Sequence, residues 1–287
     1  MQENNYEKKA RINLVIYVLS VSAGILLIYS FFSGLLILLI SGNESNINPW
    51  LLALSQILFL LLPTFLTALS LKIHWKYIFR LNFPGIKFIL LALAGVFFIE
   101  LFTEGVVVIQ KYIIPTAWQT GYERLLDDYM TSIKQIIGGG GVAVLLRSIV
   151  VVAFVPALSE EMFFRGFLQT SLEYSVRIIY AIVFTSFLFA AMHLNPILFI
   201  PLFVAGLFFG FISYLSSSII VPFILHFVMN FLGIIEVFYQ TDSGTAGQEA
   251  LSLTTASVLF VVGITGISVI SYLLYKMKRD IKTSLQS

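Results

Sequence analysis

The chain has 287 residues, 59% of them hydrophobic and 11% charged, with a net charge of +2 and no cysteine. Soluble domains carry about 25% charged residues, so this balance, with a mean hydropathy of +0.95, excludes an ordinary water-soluble globule. The missing cysteine excludes disulfides, thiolate metal sites, a catalytic thiol and lipidated cysteine; the net charge by itself says little, and no nucleic-acid partner is expected.

Apolar stretches long enough to span a bilayer fall at 12–40, 48–71, 86–114, 142–169, 178–195, 197–214, 219–238 and 253–275. The expected fold is therefore all-α: a polytopic membrane helix bundle of about eight transmembrane helices in contact with membrane lipids. The first run is too long for a signal-peptide core and no small-x-small cleavage site closes it, so an anchor is expected. In the third span Glu100 and Glu104 sit one turn apart, placed either to line a wet cavity or to pair with Arg147.

The long connection that follows has apolar residues at helical spacing from Tyr122 to Ile137, with Glu123, Arg124, Asp127, Asp128 and Lys134 between them. This pattern predicts an interfacial amphipathic helix on a hinge at Gly138 to Gly141, either covering the bundle or gating substrate.

The fourth span holds Glu160, Glu161 and Arg165. One ionisable side chain at the centre of a membrane helix costs roughly 3 kcal/mol to insert, so three in one segment point to function. Glu161 and Arg165 share a face in the favourable order for an ion pair, whereas Glu160 points about 100° away and is the carboxylate left free for chemistry. A hairpin turn near Ser175 to Arg177 sets His193, in the fifth span, level with Glu160; Asn195 and Pro196 then supply a helix stop and restart.

Gly206 and Gly210 form a small-xxx-small packing face in the sixth span. The seventh carries His226 and, one turn on, Asn230, at a depth that agrees only approximately with the other two sites. Pro156 and Pro222 each stand four residues before a polar site residue and are expected to bend their helices there. Glu236 reads as interfacial, and Gln240 to Glu249 as a solvated loop.

Basic residues alternate along the chain. Lys8, Lys9 and Arg11 precede the first span; Lys72, Lys76, Arg80 and Lys87 lie between the second and third; Arg177 follows the fourth; Lys276, Lys278, Arg279 and Lys282 follow the last. Both termini are accordingly expected in the cytoplasm, with the protein in a membrane of bacterial plasma type. Three regions are expected: 1–140, with three spans and the interfacial helix; 141–240, a catalytic core; and 241–287, with the external loop, last span and tail.

The combination Glu-Glu-x-x-x-Arg at Glu160 to Arg165, Phe-x-x-x-His at Phe189 to His193 and His-x-x-x-Asn at His226 to Asn230 resembles the CPBP family, the CAAX-protease and bacteriocin-processing (Abi-type) intramembrane proteases. The resemblance covers roughly Leu145 to Phe238. It implies hydrolysis of a peptide bond in a membrane-associated peptide or protein substrate. Glu160 and His193 would polarise the attacking water, Glu161 would belong to the catalytic set with Arg165 in support, and His226 with Asn230 would stabilise the tetrahedral oxyanion.

Two alternatives stay open. Glu160, His193 and His226 supply the three protein ligands of an open Zn2+ site, with Glu161 as base, although a glutamate-activated water needs no metal. A non-proteolytic membrane scaffold or bacteriocin immunity protein of the same family would bind without cutting.

Overall fold

Inside a bilayer a backbone this apolar must satisfy its own hydrogen bonds, and the helix does so within one segment. The computed structural model, which describes residues 5–41, 48–70, 75–137, 141–242 and 251–284, follows that rule, with no strand among the described residues. The helices are α1 (Asn5–Ser41), α2 (Pro49–Ser70), α3 (Trp75–Phe79), α4 (Ile86–Ile113), α5 (Thr116–Ile137), α6 (Val142–Glu173), α7 (Ile178–Met192), α8 (Phe199–Ser216), α9 (Ile220–Asp242) and α10 (Leu253–Ser284). The protein is an all-α polytopic bundle.

Among the described residues seven helices are long and apolar enough to cross a membrane. The remaining expected span, the fifth at 178–195, is the 15-residue α7, about 22 Å long and short of the ~30 Å hydrocarbon core. The chain itself ends it. Leu194 takes a left-handed φ of 49°, and the Asn195 side-chain oxygen accepts from the backbone N–H groups of Ile197 and Leu198 at 3.0 and 3.2 Å. His193 is thereby left at the helix terminus, at the edge of the turn.

α5 is the expected amphipathic helix, begun six residues earlier than the polar pattern suggested because Pro115 sets up its first turn, with Trp118 N–H donating to the Pro115 carbonyl at 2.8 Å. Of the expected hinge, 138–140 lie outside the described residues, as do 243–249 of the expected loop Gln240 to Glu249, whose first three residues end α9.

Two membrane helices depart from α geometry beside polar residues. α2 contains a π-turn at Ile57–Leu61, and α6 contains two, Ile149–Phe154 and Met162–Gln169, on either side of the α-helical stretch Val155–Glu161. Such widened turns accommodate an extra residue and redirect side chains. Pro156 stands in the first turn of the stretch between them, directly after the π-turn Ile149–Phe154. Pro222 differs from expectation: it lies in the first turn of α9, where its missing N–H has no intrahelical partner to lose, and it starts the helix instead of bending it.

Small residues let the helices approach closely. A Cβ added at Gly206 would meet the Ser186 Cβ at 3.0 Å, and one at Gly210 would meet Ile182 Cγ2 at 3.1 Å, so the two glycines form the α7–α8 contact. Gly105 of α4 faces the Phe260 backbone and Gly263 of α10 faces that of Phe102, each with room for hydrogen only. At one end, loops are tied together: Arg80 pairs with Glu173, its carbonyl accepts from Ile219 N–H at 3.2 Å, and Asn82 donates to the Ser217 carbonyl at 2.9 Å.

Candidate active site

α6, α7 and α9 bring four sequence-predicted polar residues to one place. Glu160 Oε2 lies 4.0 Å from His193 Nε2 and 4.0 Å from His226 Nε2. The short α7 accounts for the first approach, since its end coincides with the depth of Glu160 across the hairpin. His226, whose depth by helix counting agreed only approximately with the other two, reaches Glu160 as well.

Each imidazole is oriented from its far side. His193 Nδ1 is 2.8 Å from the Phe189 carbonyl, which only an N–H can satisfy, so Nδ1 donates and Nε2 turns its lone pair toward Glu160 in the neutral ring. His226 Nδ1 donates likewise to Glu161 Oε1 at 2.9 Å. The ring of Phe189 packs on both imidazoles, with centroids 5.0 Å from His193 and 5.7 Å from His226.

Glu161 and Arg165 form the expected pair, Nη1 to Oε1 at 2.7 Å, with both side chains fully buried. Arg165 is held further by Nη2 donating to the Gly206 carbonyl at 3.3 Å and by the rings of Phe189 and Phe209, whose centroids lie 4.6 and 5.5 Å from its Cζ. The Gly206 carbonyl is within reach because α8 has no side chain there. Arg165 is thus paired with Glu161, and among the described residues no Lys or Arg forms an ion pair with Glu160.

Asn230 stands one turn beyond His226 on α9, with its Nδ2 donating to the Val152 carbonyl at 3.1 Å inside the first π-turn of α6. The widened turn makes that carbonyl available to a neighbouring helix. The Glu160 and His226 side chains are 5% and 3% exposed while His193 is 30% exposed, so access to the cluster is on the His193 side.

One further side chain that the motifs do not contain reaches Glu160, and a second stands behind it. Gln56 Nε2 donates to Glu160 Oε1 at 3.2 Å and to the Tyr29 hydroxyl at 3.3 Å. Both come from the first two helices. The motifs missed both: an amide in the middle of the apolar run 48–71 is the signal that could have shown Gln56, and Tyr29 carries none.

The ligand set considered for zinc does not fit it. Two atoms bound to one tetrahedral ion at about 2.0 Å are ~3.3 Å apart, closer than these donors. Glu160 Oε2 and each imidazole Nε2 are 4.0 Å apart, and among the described residues no group of three or more His, Cys, Asp or Glu is arranged to hold a metal ion. A water bonded at ~2.8 Å to both atoms of such a pair does fit.

The remaining membrane carboxylates form a separate group. Glu100 and Glu104 act electrostatically on one another and with Glu236, while Arg147, expected as a partner, instead donates to the Ile136 carbonyl at 2.7 Å. Tyr129 of α5 covers them: burial raises its phenol above the ordinary value, and Glu100 and Glu236 add to the effect. A cavity of about 320 Å³ between α4, α5 and the turn after His193, lined by Ile114, Trp118, Tyr122, Pro196 and Ile197 among others, shares no lining residue with the Glu160 cluster.

Comparison with the curated proteins and with the solved structures finds no match. Residues 142–232, which contain Glu160, His193, His226 and Asn230, match the family model described as Rce1-like, type II CAAX prenyl endopeptidase Rce1-like, so over this segment the chain is similar to the CPBP family of CAAX-type intramembrane proteases.

Proposed function

We propose that the chain is an endopeptidase that hydrolyses a peptide bond of a membrane-associated peptide or protein by a water activated between Glu160 and His193. The observation that carries this reading is Glu160 Oε2: a buried carboxylate oxygen with no hydrogen-bond partner among the described residues, facing an imidazole Nε2 at 4.0 Å. A carboxylate without a cation is a base, and a water shared with a neutral imidazole acceptor has both protons directed to protein.

Attack of the water oxygen on the carbonyl carbon passes one proton to Glu160 and forms the tetrahedral oxyanion. His226 and Asn230 stabilise it. The proton taken by Glu160 is shared with His226 Nε2, 4.0 Å away, so that His226 donates Nδ1–H to Glu161 and Nε2–H to the oxyanion until the proton returns to Glu160. Asn230 has a second amide hydrogen besides the one given to Val152. Collapse of the intermediate breaks the C–N bond as the proton held by Glu160 moves to the leaving amine. Glu161 and Arg165 are positioning residues that hold His226. The family description names a CAAX prenyl endopeptidase, so a peptide ending in a prenylated cysteine, two aliphatic residues and a variable residue is the first substrate to offer.

The test is cleavage of an internally quenched, farnesylated peptide of that form, and of a membrane-protein extract read by mass spectrometry of new termini, with purified protein in lipid vesicles. New termini are expected with the parent and not with Glu160→Gln, at equal melting temperature. Identical products from the two, or none from the parent, overturn the reading and move the non-proteolytic scaffold forward.

A further inference from the structure

We propose that Gln56, held by Tyr29, is a positioning residue for Glu160: it fixes one carboxylate oxygen so that the other faces the imidazoles. The inference rests on the protease reading above. It assigns a role in the site to the first two helices, which lie outside the matched segment 142–232.

A glutamate carboxylate turns about its last torsion with little preference, so burial alone does not decide which oxygen faces where. Gln56 decides it. Its Nε2 donates to Glu160 Oε1 at 3.2 Å, and Oε2 is then the atom 4.0 Å from His193 and His226. An amide suits the task because it donates without carrying charge and without a proton to give up, so it holds the carboxylate without neutralising the base. Lysine or arginine in its place would form an ion pair.

The amide is itself oriented. Its second N–H meets the Tyr29 hydroxyl at 3.3 Å, and the opposite orientation would turn the Gln56 carbonyl oxygen toward an anionic carboxylate. Tyr29 also lies within electrostatic reach of Glu160. The backbone supports the arrangement: Gln56 is the last residue before the π-turn Ile57–Leu61, and Glu160 lies in the α-helical stretch before the π-turn Met162–Gln169. α1 packs along α2, which puts Tyr29 beside Gln56. The chain Tyr29, Gln56, Glu160 thus crosses three helices.

The experiment compares the parent, Gln56→Met, Tyr29→Phe, the double variant and Glu160→Gln in vesicles, using the quenched farnesylated peptide or the extract-derived peptide the parent cleaves. Methionine keeps the length and removes the donor. Gln56→Met is expected to lower kcat roughly 10-fold or more, the scale of one hydrogen bond to a charged group, with KM within about 2-fold and an unchanged melting temperature. Tyr29→Phe is expected to have a smaller effect, and the double variant to be no worse than Gln56→Met, because Tyr29 acts through the amide. A Gln56→Met enzyme with the parent's kcat, a loss confined to KM, or fully additive effects overturns the positioning role. If Glu160→Gln is inactive while Gln56→Met equals the parent, the protease reading stands and this inference alone falls; if Glu160→Gln is active, both fall.

Discussion

Glu161 Oε1 accepts from His226 Nδ1 at 2.9 Å and from Arg165 Nη1 at 2.7 Å, so a single carboxylate oxygen joins α9 to α6 and orients the imidazole that faces Glu160. Pairing alone would have left Glu161 spent on Arg165. The structure gives it a second partner, and charge balance and site geometry depend on one group.

Arg165→Ala leaves Glu161 buried with only an imidazole beside it. Breaking a buried pair by removing one partner costs about 3 kcal/mol or more, because the remaining charge has lost its compensation. The variant is expected to melt well below the parent in detergent and to yield less folded protein. An unchanged melting temperature would show that Glu161 does not depend on the guanidinium.

Asn230→Ala removes the amide that meets the Val152 carbonyl and, in the proposed mechanism, the oxyanion. Turnover is expected to fall roughly 100-fold or more, the range for a lost oxyanion donor. The fold should survive, since the deleted group makes one hydrogen bond to protein. Steady-state kinetics with melting curves separate the two effects; a turnover within a few-fold of the parent's removes Asn230 from the oxyanion site.

Metal removal gives an independent check. The 4.0 Å separations at Glu160 suit a bridging water better than zinc. Protein stripped with a strong chelator and shown metal-free by elemental analysis is expected to keep full cleavage activity. Loss on stripping, with recovery on adding about one equivalent of Zn2+, would replace the carboxylate-activated water by a metal-bound one.

The sidedness of Lys and Arg predicts where tags are found. Labels at either terminus should be cytoplasmic, and a label within Gln240 to Glu249 external, because short connections rich in basic residues are retained inside. Protease or thiol accessibility in intact cells reads this directly. A cytoplasmic label in that loop would require a different number of crossings.

The helical segments and much of the site were legible in the chain. Uninterrupted apolar runs admit only helices in a bilayer, and charges that are costly at membrane depth mark themselves: Glu160, Glu161, Arg165, His193, His226 and Asn230 stand out against their neighbours. The Glu161–Arg165 pair followed from helical spacing, a local property. The length of α7 was less legible, because the stop set by Leu194 and Asn195 consists of a backbone angle and side-chain hydrogen bonds that hydropathy does not register. Pro222 was misplaced within its helix for a similar reason, since its effect depends on the turn it occupies.

Composition and spacing determined what kind of molecule this is and which residues carry its charge, because burial cost and helical periodicity act along one segment at a time. Which oxygen of which carboxylate faces which nitrogen was decided only by the tertiary structure. Gln56 and Glu160 are 104 positions apart and Glu161 and His226 are 65 apart. Their meeting depends on π-turns, on glycines that let α7 and α8 close, and on packing between helices, none of which is a property of a single segment.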